Sequence, residues 1–162
     1  MWQSFTKRRL PAANPRTVVL AGAGGALAIA ILLGLGQAAS VALVIAPFGA
    51  SCVLIFAVPA APFSQPANVV GGHLIAAVAG MLAFSLLQDV WWSAALGVGL
   101  AISAMAALRV THPPAGANPI VIAMLEPSWA FLVIPVLLGS VFLVAIGVAY
   151  HRAVGTKYPV PE

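Results

Sequence analysis

Few residues in this chain could do chemistry, and they sit in uncharged surroundings. His73 lies within Thr17 to Gln88, a run without Asp, Glu, Lys or Arg, and His112 follows Arg109 at the head of a second apolar piece. Imidazole exchanges a proton near neutrality, and an ionisable group inside an apolar span is a functional candidate by default. His112 suits a proton relay or, when charged, an anion; the competing reading is a neutral imidazole bonded to a carbonyl. His73, beside Gly71 and Gly72, reads as a site residue or as a helix-to-helix hydrogen bond. His151, after the last apolar stretch, reads as solvated.

Around these histidines the chain breaks twice in the same way. Pro47-Phe48-Gly49-Ala50-Ser51 with Ile55 matches Pro114-Ala115-Gly116-Ala117-Asn118 with Ile122 at a constant offset. A chain this rich in Ala and Gly also gives such matches by chance. Proline stops the incoming segment, glycine permits close approach, and Ser51 or Asn118 offers a hydrogen bond. A helix that starts within a membrane leaves its first amides unpartnered and carries about half a positive charge there. Two such starts facing each other form a cradle for a small anion, as in broken-helix transporters. The bland alternative is a pair of packing kinks satisfied by neighbouring helices. The expected binding set is Pro47, Gly49, Ala50, Ser51, His112, Pro113, Pro114, Gly116, Ala117 and Asn118. Secondary candidates are Gln65, Asn68, His73 and Arg109. Asn68 also suits a helix cap and Arg109 a snorkelling contact with headgroups.

The elements that must position these residues follow from composition. Hydrophobic residues make up 62% and charged residues 6%, against about 25% charged in soluble domains. Lipid is therefore the expected solvent. Full spans are expected at Thr17 to Gly36, possible continuation reaching Leu43, then Asn68 to Leu87, Val90 to Leu108, and Trp129 to Tyr150. Helices are required, because an open sheet leaves backbone groups unpaired in lipid. Ala115 to Leu125 covers about 16 Å, half of a bilayer core of about 30 Å. By symmetry Phe48 to Val58 is also a half-helix, although Ser40 to Val58 could instead make a kinked full span.

The expected fold class is thus an all-α integral membrane protein with four transmembrane helices plus two re-entrant half-helices, in two tandem repeats. Residues 1–16 form a basic cytoplasmic tail, 17–152 one membrane domain with repeats at about 17–88 and 90–150, and 153–162 a cytoplasmic tail. Lys7, Arg8, Arg9 and Arg16 before the first span, with Arg152 and Lys157 after the last, place both termini in the cytoplasm. The location expected is a bacterial inner (plasma) membrane, with the first span a retained anchor rather than a signal peptide. Small-residue pairs Gly22–Ala26, Ala76–Gly80, Ser93–Gly97 and Gly97–Ala101 suit helix packing. Trp91, Trp92, Trp129 and Tyr150 read as interfacial anchors. Asp89 and Glu126 read as solvated loop residues, and Cys52 as a buried free thiol.

Three motifs resemble the HPP family of small integral membrane proteins: Thr111-His112-Pro113-Pro114-Ala115-Gly116-Ala117, Pro47-Phe48-Gly49-Ala50-Ser51, and Gln65-Pro66-x-Asn68-x-x-Gly71-Gly72-His73. The resemblance implies four transmembrane helices and, since plastid and cyanobacterial members are associated with nitrite transport, an anion as solute. Some members carry cytoplasmic CBS domains after the membrane unit, which this chain, ending at Glu162, is expected to lack. Asn118-Pro119 and Ala67 depart from the family pattern and bear on solute identity.

The function expected is a membrane transporter or channel for a small inorganic anion, nitrite as the named solute. Its partners would be the lipid bilayer, the anion and further copies of itself in a dimer or trimer. A non-transporting scaffold or regulatory subunit is the alternative, and a membrane enzyme ranks below both. No nucleotide loop, zinc motif or nucleophile-histidine-acid set can be assembled, so no catalysis, cofactor or metal is expected. Basic residues gathered at the termini rather than among aromatics exclude a nucleic-acid surface.

Overall fold

Proline opens nearly every helix. Pro15, Pro47, Pro62, Pro66, Pro113 and Pro119 each stand in the first turn of a helical segment, where the fixed φ suits the helix and no hydrogen bond is lost. The computed structural model describes residues 2–8, 12, 14–88 and 90–161. Arg9 and Asp89, read above as part of the basic tail and as a loop residue, lie outside them. The described residues form seven α-helices and no strand.

A single turn, α1 (Gln3–Thr6), precedes α2 (Pro15–Ala39), which Asn14 caps by accepting from the Arg16 amide at 2.9 Å. Then come α3 (Pro47–Cys52) with a wide turn at Val53–Ala57, α4 (Pro66–Leu86) and α5 (Ser93–Ala107). A tight turn, Pro113–Ala117, leads into α6 (Asn118–Leu125), and Trp129–Leu132 and Val133–Leu137 lead into α7 (Leu138–Val154). Among the described residues three helical stretches are long and apolar enough to cross a membrane: Pro15–Ala39, Pro66–Leu86 and Trp129–Val154. Large apolar side chains such as Leu33, Leu100, Ile102 and Phe142 are exposed on the outside.

Several expectations shift. The first helix stops at Ala39 with Ser40 in the left-handed region (φ 56°), so it does not continue to Leu43. The third expected span is a helix of 15 residues, about 22 Å long. The last is interrupted at Ile134 (φ −128°, ψ 116°) before Pro135, which has no N–H with which to continue the helical ladder. On α2 the buried stripe is Gly24, Ala28, Leu32 and Gly36, not Gly22–Ala26. Ala76, Gly80, Ser93, Gly97 and Ala101 are buried as expected. Trp91, Trp92 and Trp129 are exposed, whereas Tyr150 donates to the Leu20 carbonyl at 2.7 Å and packs edge-on to Phe56. His151 is 3% exposed and donates from Nε2 to the Ile55 carbonyl at 2.8 Å, because the tail folds back over it. Tyr158 donates to the Ser64 carbonyl at 2.9 Å, and the Val160 amide to Gln65 Oε1 at 2.9 Å. Burial raises the Tyr158 phenol above its ordinary range, which keeps that donor protonated.

The largest correction concerns the two short helices. At one end of the bundle Thr17 and Leu20 of α2 share a small cavity with Ala57, Pro59, His151 and Val154. At the other end Ala42, Val44 and Ile45 lie against Leu125, Pro127 and Ser128. The stretch from Ser40 to Ala57 therefore runs from one end to the other, non-helical first and helical after Pro47. The stretch from Val110 to Leu125 does the same in the opposite direction: Val110 lies against Gly71 near the start of α4, and Leu125 against Ala42, Val44 and Ile45. Neither turns back to the end it came from, as a re-entrant segment would. The physical reason is reach: non-helical chain advances up to about 3.3 Å per residue and helix about 1.5 Å, so a mixed segment spans the bundle with fewer residues than a helix needs.

The bundle is held by reciprocal contacts. A Cβ on Gly72 would lie 2.9 Å from the Val110 carbonyl, and one on Gly139 would strike the Leu43 carbonyl. A Cβ on Gly80 would meet Ile122 Cδ1 at 3.0 Å, and one on Gly147 would meet Ile55 Cγ2 at 2.7 Å. Each partner pair is related by the same offset that relates Ser51 to Asn118. Thus α4 packs on the second broken segment while α7 packs on the first. Gly80→Ala is expected to destabilise the protein by about 1–3 kcal/mol through overpacking, read as thermal unfolding in detergent micelles. Gly99→Ala, where a Cβ meets nothing within 4 Å, is expected to be neutral or slightly stabilising.

Candidate functional site

The site is built where the two broken segments pass α4. Phe48, fully buried, anchors α3 with its ring edge-on to His73, centroids 4.9 Å apart. One turn on, Ser51 Oγ lies 2.8 Å from His73 Nε2 and 2.8 Å from His112 Nε2, with the Pro47 carbonyl at 3.3 Å. His73 Nδ1 is 3.3 Å from Asn118 Oδ1, and Asn118 Nδ2 donates to the His73 carbonyl at 2.9 Å. His112 Nδ1 donates to the Phe63 carbonyl at 2.7 Å. Ser51, His73, His112 and Asn118 are all 0% exposed. Buried polar groups need such partners, since each left unpaired costs about 1–3 kcal/mol.

The geometry explains why these residue types stand where they do. Gly72 lets the second break touch α4, because a Cβ there would sit 2.6 Å from His112 Cβ. His112 is extended (φ −134°, ψ 101°), as a residue before proline prefers, which aims its ring across the bundle. Asn68 does not cap α4; its Nδ2 donates to the Thr111 carbonyl at 2.9 Å and so ties down the chain entering the break. Gln65 donates to the Pro59 and Ala61 carbonyls at 2.8 and 3.0 Å, holding the linker rather than facing the cluster.

Of the expected binding set, Ser51, His112 and Asn118 converge, and His73 joins them as their hub. Pro47, Pro113, Pro114 and Ala117 shape the two turns, while Gly49 and Ala50 are exposed on the far side of α3 and Gly116 has open space beside it. Arg109 is exposed with φ 60° and makes no contact with the cluster's hydrogen bonds. Of the amides expected to be free, Gly49 N donates to Ala46 O at 3.1 Å and Asn118 N to Ala115 O, and the amides just before the two starts are bonded as well, Phe48 N to Ile45 O at 2.9 Å and Ala115 N to His112 O at 3.0 Å. Turns of i to i+3 type consume the donors that an abrupt helix start would leave. The cradle therefore consists of side chains. Gly72 is the residue that sequence reasoning missed, and its signal was the Gly-Gly-His run itself. Groups of three or more His, Cys, Asp or Glu able to hold a metal are absent among the described residues.

Loss of the hub contact should be measurable: Ser51→Ala leaves two buried imidazole nitrogens without their partner and is expected to destabilise by about 1–3 kcal/mol in chemical unfolding. Ser140→Ala, whose hydroxyl only bonds back to Leu137 O, is expected to cost less than about 1 kcal/mol.

The family described as "HPP, transmembrane region" matches residues 10–159 of this chain. Two proteins of Dictyostelium discoideum, each named only as a transmembrane protein, are similar to it. One is 34% identical over 113 residues, covering 65% of this chain and 40% of the relative. The other is 34% identical over 122 residues, covering 70% and 39%. The chain thus spans about two fifths of the length of these relatives. No solved structure matches it.

Proposed function

The chain belongs to the HPP transmembrane family, and from that premise we propose that it is a transporter for a small inorganic anion, with nitrite the first solute to test. The observation that carries this reading is that Ser51 and Asn118, equivalent positions of the two breaks, meet the two ring nitrogens of one buried histidine, His73. Discontinuous helices converging on a polar site inside an apolar bundle are the usual construction of a solute site in membrane transporters.

We read the membrane arrangement as six crossings: α2, the Ser40–Ala57 segment, α4, α5, the Val110–Leu125 segment and Trp129–Val154. Three crossings per repeat make the two repeats antiparallel in the membrane, the inverted relation on which alternating access rests. Charge supports this count. It brings Arg109 to the same side as Lys7, Arg8, Arg16, Arg152 and Lys157, which the positive-inside rule assigns to the cytoplasm together with both termini. Four crossings with re-entrant loops would leave Arg109 outside. Six crossings also give one chain enough wall for a path. The case for a homo-oligomer, dimer or trimer, then rests on the open groove of about 500 Å³ lined by Gly22, Gly25, Ala26 and Gly49, where small residues permit a second helix to approach.

One observation favours the scaffold reading: the four polar side chains are fully enclosed. For a transporter the same enclosure is the occluded state, which opens when one repeat rocks against the other. Uptake into proteoliposomes separates the two. Nitrite flux in wild type, lost at least tenfold in His112→Ala, is expected; equal and negligible flux of nitrite, nitrate, formate and halide in both would leave the scaffold.

Topology is testable independently. In a Cys52→Ala background, Ala60→Cys and Leu108→Cys are expected to react with a membrane-impermeant maleimide only from the side that carries the termini. Labelling of both from the opposite side would restore the four-span arrangement.

A further inference from the structure

The polar cluster is short of one proton. Its contacts form a single chain: Phe63 O to His112 Nδ1 (2.7 Å), His112 Nε2 to Ser51 Oγ (2.8 Å), Ser51 Oγ to His73 Nε2 (2.8 Å), and His73 Nδ1 to Asn118 Oδ1 (3.3 Å). Each of these four contacts needs one proton to be a hydrogen bond. Both ends are acceptors only. Phe63 contributes a carbonyl, and Asn118 directs its amide nitrogen at the His73 carbonyl, which leaves its oxygen toward the ring. Two neutral imidazoles and one hydroxyl supply three protons between them. The carbonyl of Pro47, 3.3 Å from Ser51 Oγ, is a further competitor for the same protons.

Rearranging tautomers moves the deficit without removing it. The short contact with Phe63 O holds the proton of neutral His112 on Nδ1, so Nε2 accepts from Ser51. His73 then either protects its contact with Asn118 and turns a lone pair on Ser51, or donates to Ser51 and turns a lone pair on Asn118. Two facing lone pairs in a fully enclosed site are unfavourable, since the low local dielectric strengthens their repulsion. One added proton fills every contact at once: His73 donates from both nitrogens, Ser51 donates to His112, and His112 donates to Phe63. Transfer of the Ser51 proton, with Nε2–H of His73 following, moves the charge from one ring to the other without any heavy atom moving.

We propose that His112, Ser51 and His73 form a proton-binding site that takes up one proton and shares it between the two imidazoles. Among the described residues no carboxylate, lysine or arginine is hydrogen-bonded to the cluster. The charged and titratable side chains elsewhere in α2 to α7 and the turns between them lie toward the ends of the bundle: Arg16, Arg109, Tyr150, His151 and Arg152 toward the end occupied by the start of α2, and Glu126 at the other, while Cys52 faces the α2 groove. A lone cation in so apolar an interior is expensive unless paired, so the proton is taken up together with an anion. That last clause rests on the transport reading, whereas the proton site itself does not. It makes the transported species electrically neutral, one proton with one anion.

The test uses wild-type protein carrying ¹⁵N-labelled histidine in lipid nanodiscs, with ring-nitrogen spectra followed from about pH 9 to about pH 4, with and without nitrite. The expected result is uptake of one proton per chain in a single step seen at both His73 and His112, moved to higher pH by nitrite. Ser51→Ala should replace the shared step by separate responses of the two rings. Both rings neutral throughout, with and without nitrite, or two independent steps in wild type, would overturn the site. A shared step that nitrite does not move keeps the proton site and removes its anion partner. Nitrite flux in liposomes with no such step removes the proton site and leaves the transport reading standing.

Discussion

Backbone that is neither helix nor closed sheet can lie in an apolar interior only where other protein covers its polar groups. This chain carries two such pieces, before Pro47 and before Pro113, and the rest of the architecture follows from the need to cover them. Bare helix surface is what covers them. Gly139 of α7 receives the Leu43 carbonyl and Gly72 of α4 receives the Val110 carbonyl, so each broken segment is laid against a helix from the other half of the sequence. The halves interlock for that reason, and neither would hide its own break alone.

The same interlocking creates the chemistry. Once the second break is pressed against Gly72, His112 is carried to within hydrogen-bond reach of Ser51, which the first break supplies. His73 stands beside them on α4, touched by Ser51 on one nitrogen and by Asn118 on the other. Packing and polarity are therefore not separate designs here. The close approach that satisfies the backbone also brings two buried imidazoles from different halves of the chain together, in a bundle whose outer surface is apolar. A cluster assembled from both halves is sensitive to any movement of one half against the other, which is the property a gated pathway requires.

Membership of the HPP transmembrane family agrees with the motifs that carry the cluster: the Pro-Phe-Gly-Ala-Ser run, the Gly-Gly-His run and the His-Pro-Pro run each deliver one of its parts. The relatives from Dictyostelium are longer chains, of which the matched part is about two fifths.

The amino-acid order alone determined the lipid solvent, the helical class, the positions of the two breaks and the identity of Ser51, His112 and Asn118 as residues of interest, because hydropathy, proline and glycine act locally. The match between Pro47-x-Gly-Ala-Ser51 and Pro114-x-Gly-Ala-Asn118 is likewise visible in residue identity. It left undecided where each broken segment ends in space, because re-entrant and through-running paths contain the same residues and differ only in partners. The tertiary structure alone decided that both segments run from end to end, that Ile134 interrupts the last helix, that His151 is enclosed by the returning tail, and that the starting amides are bonded. It also decided that His73 is the hub: a histidine on an otherwise unremarkable helix acquires its role only when two distant turns arrive at its two nitrogens, and that arrival is set by helix packing rather than by any neighbour in sequence.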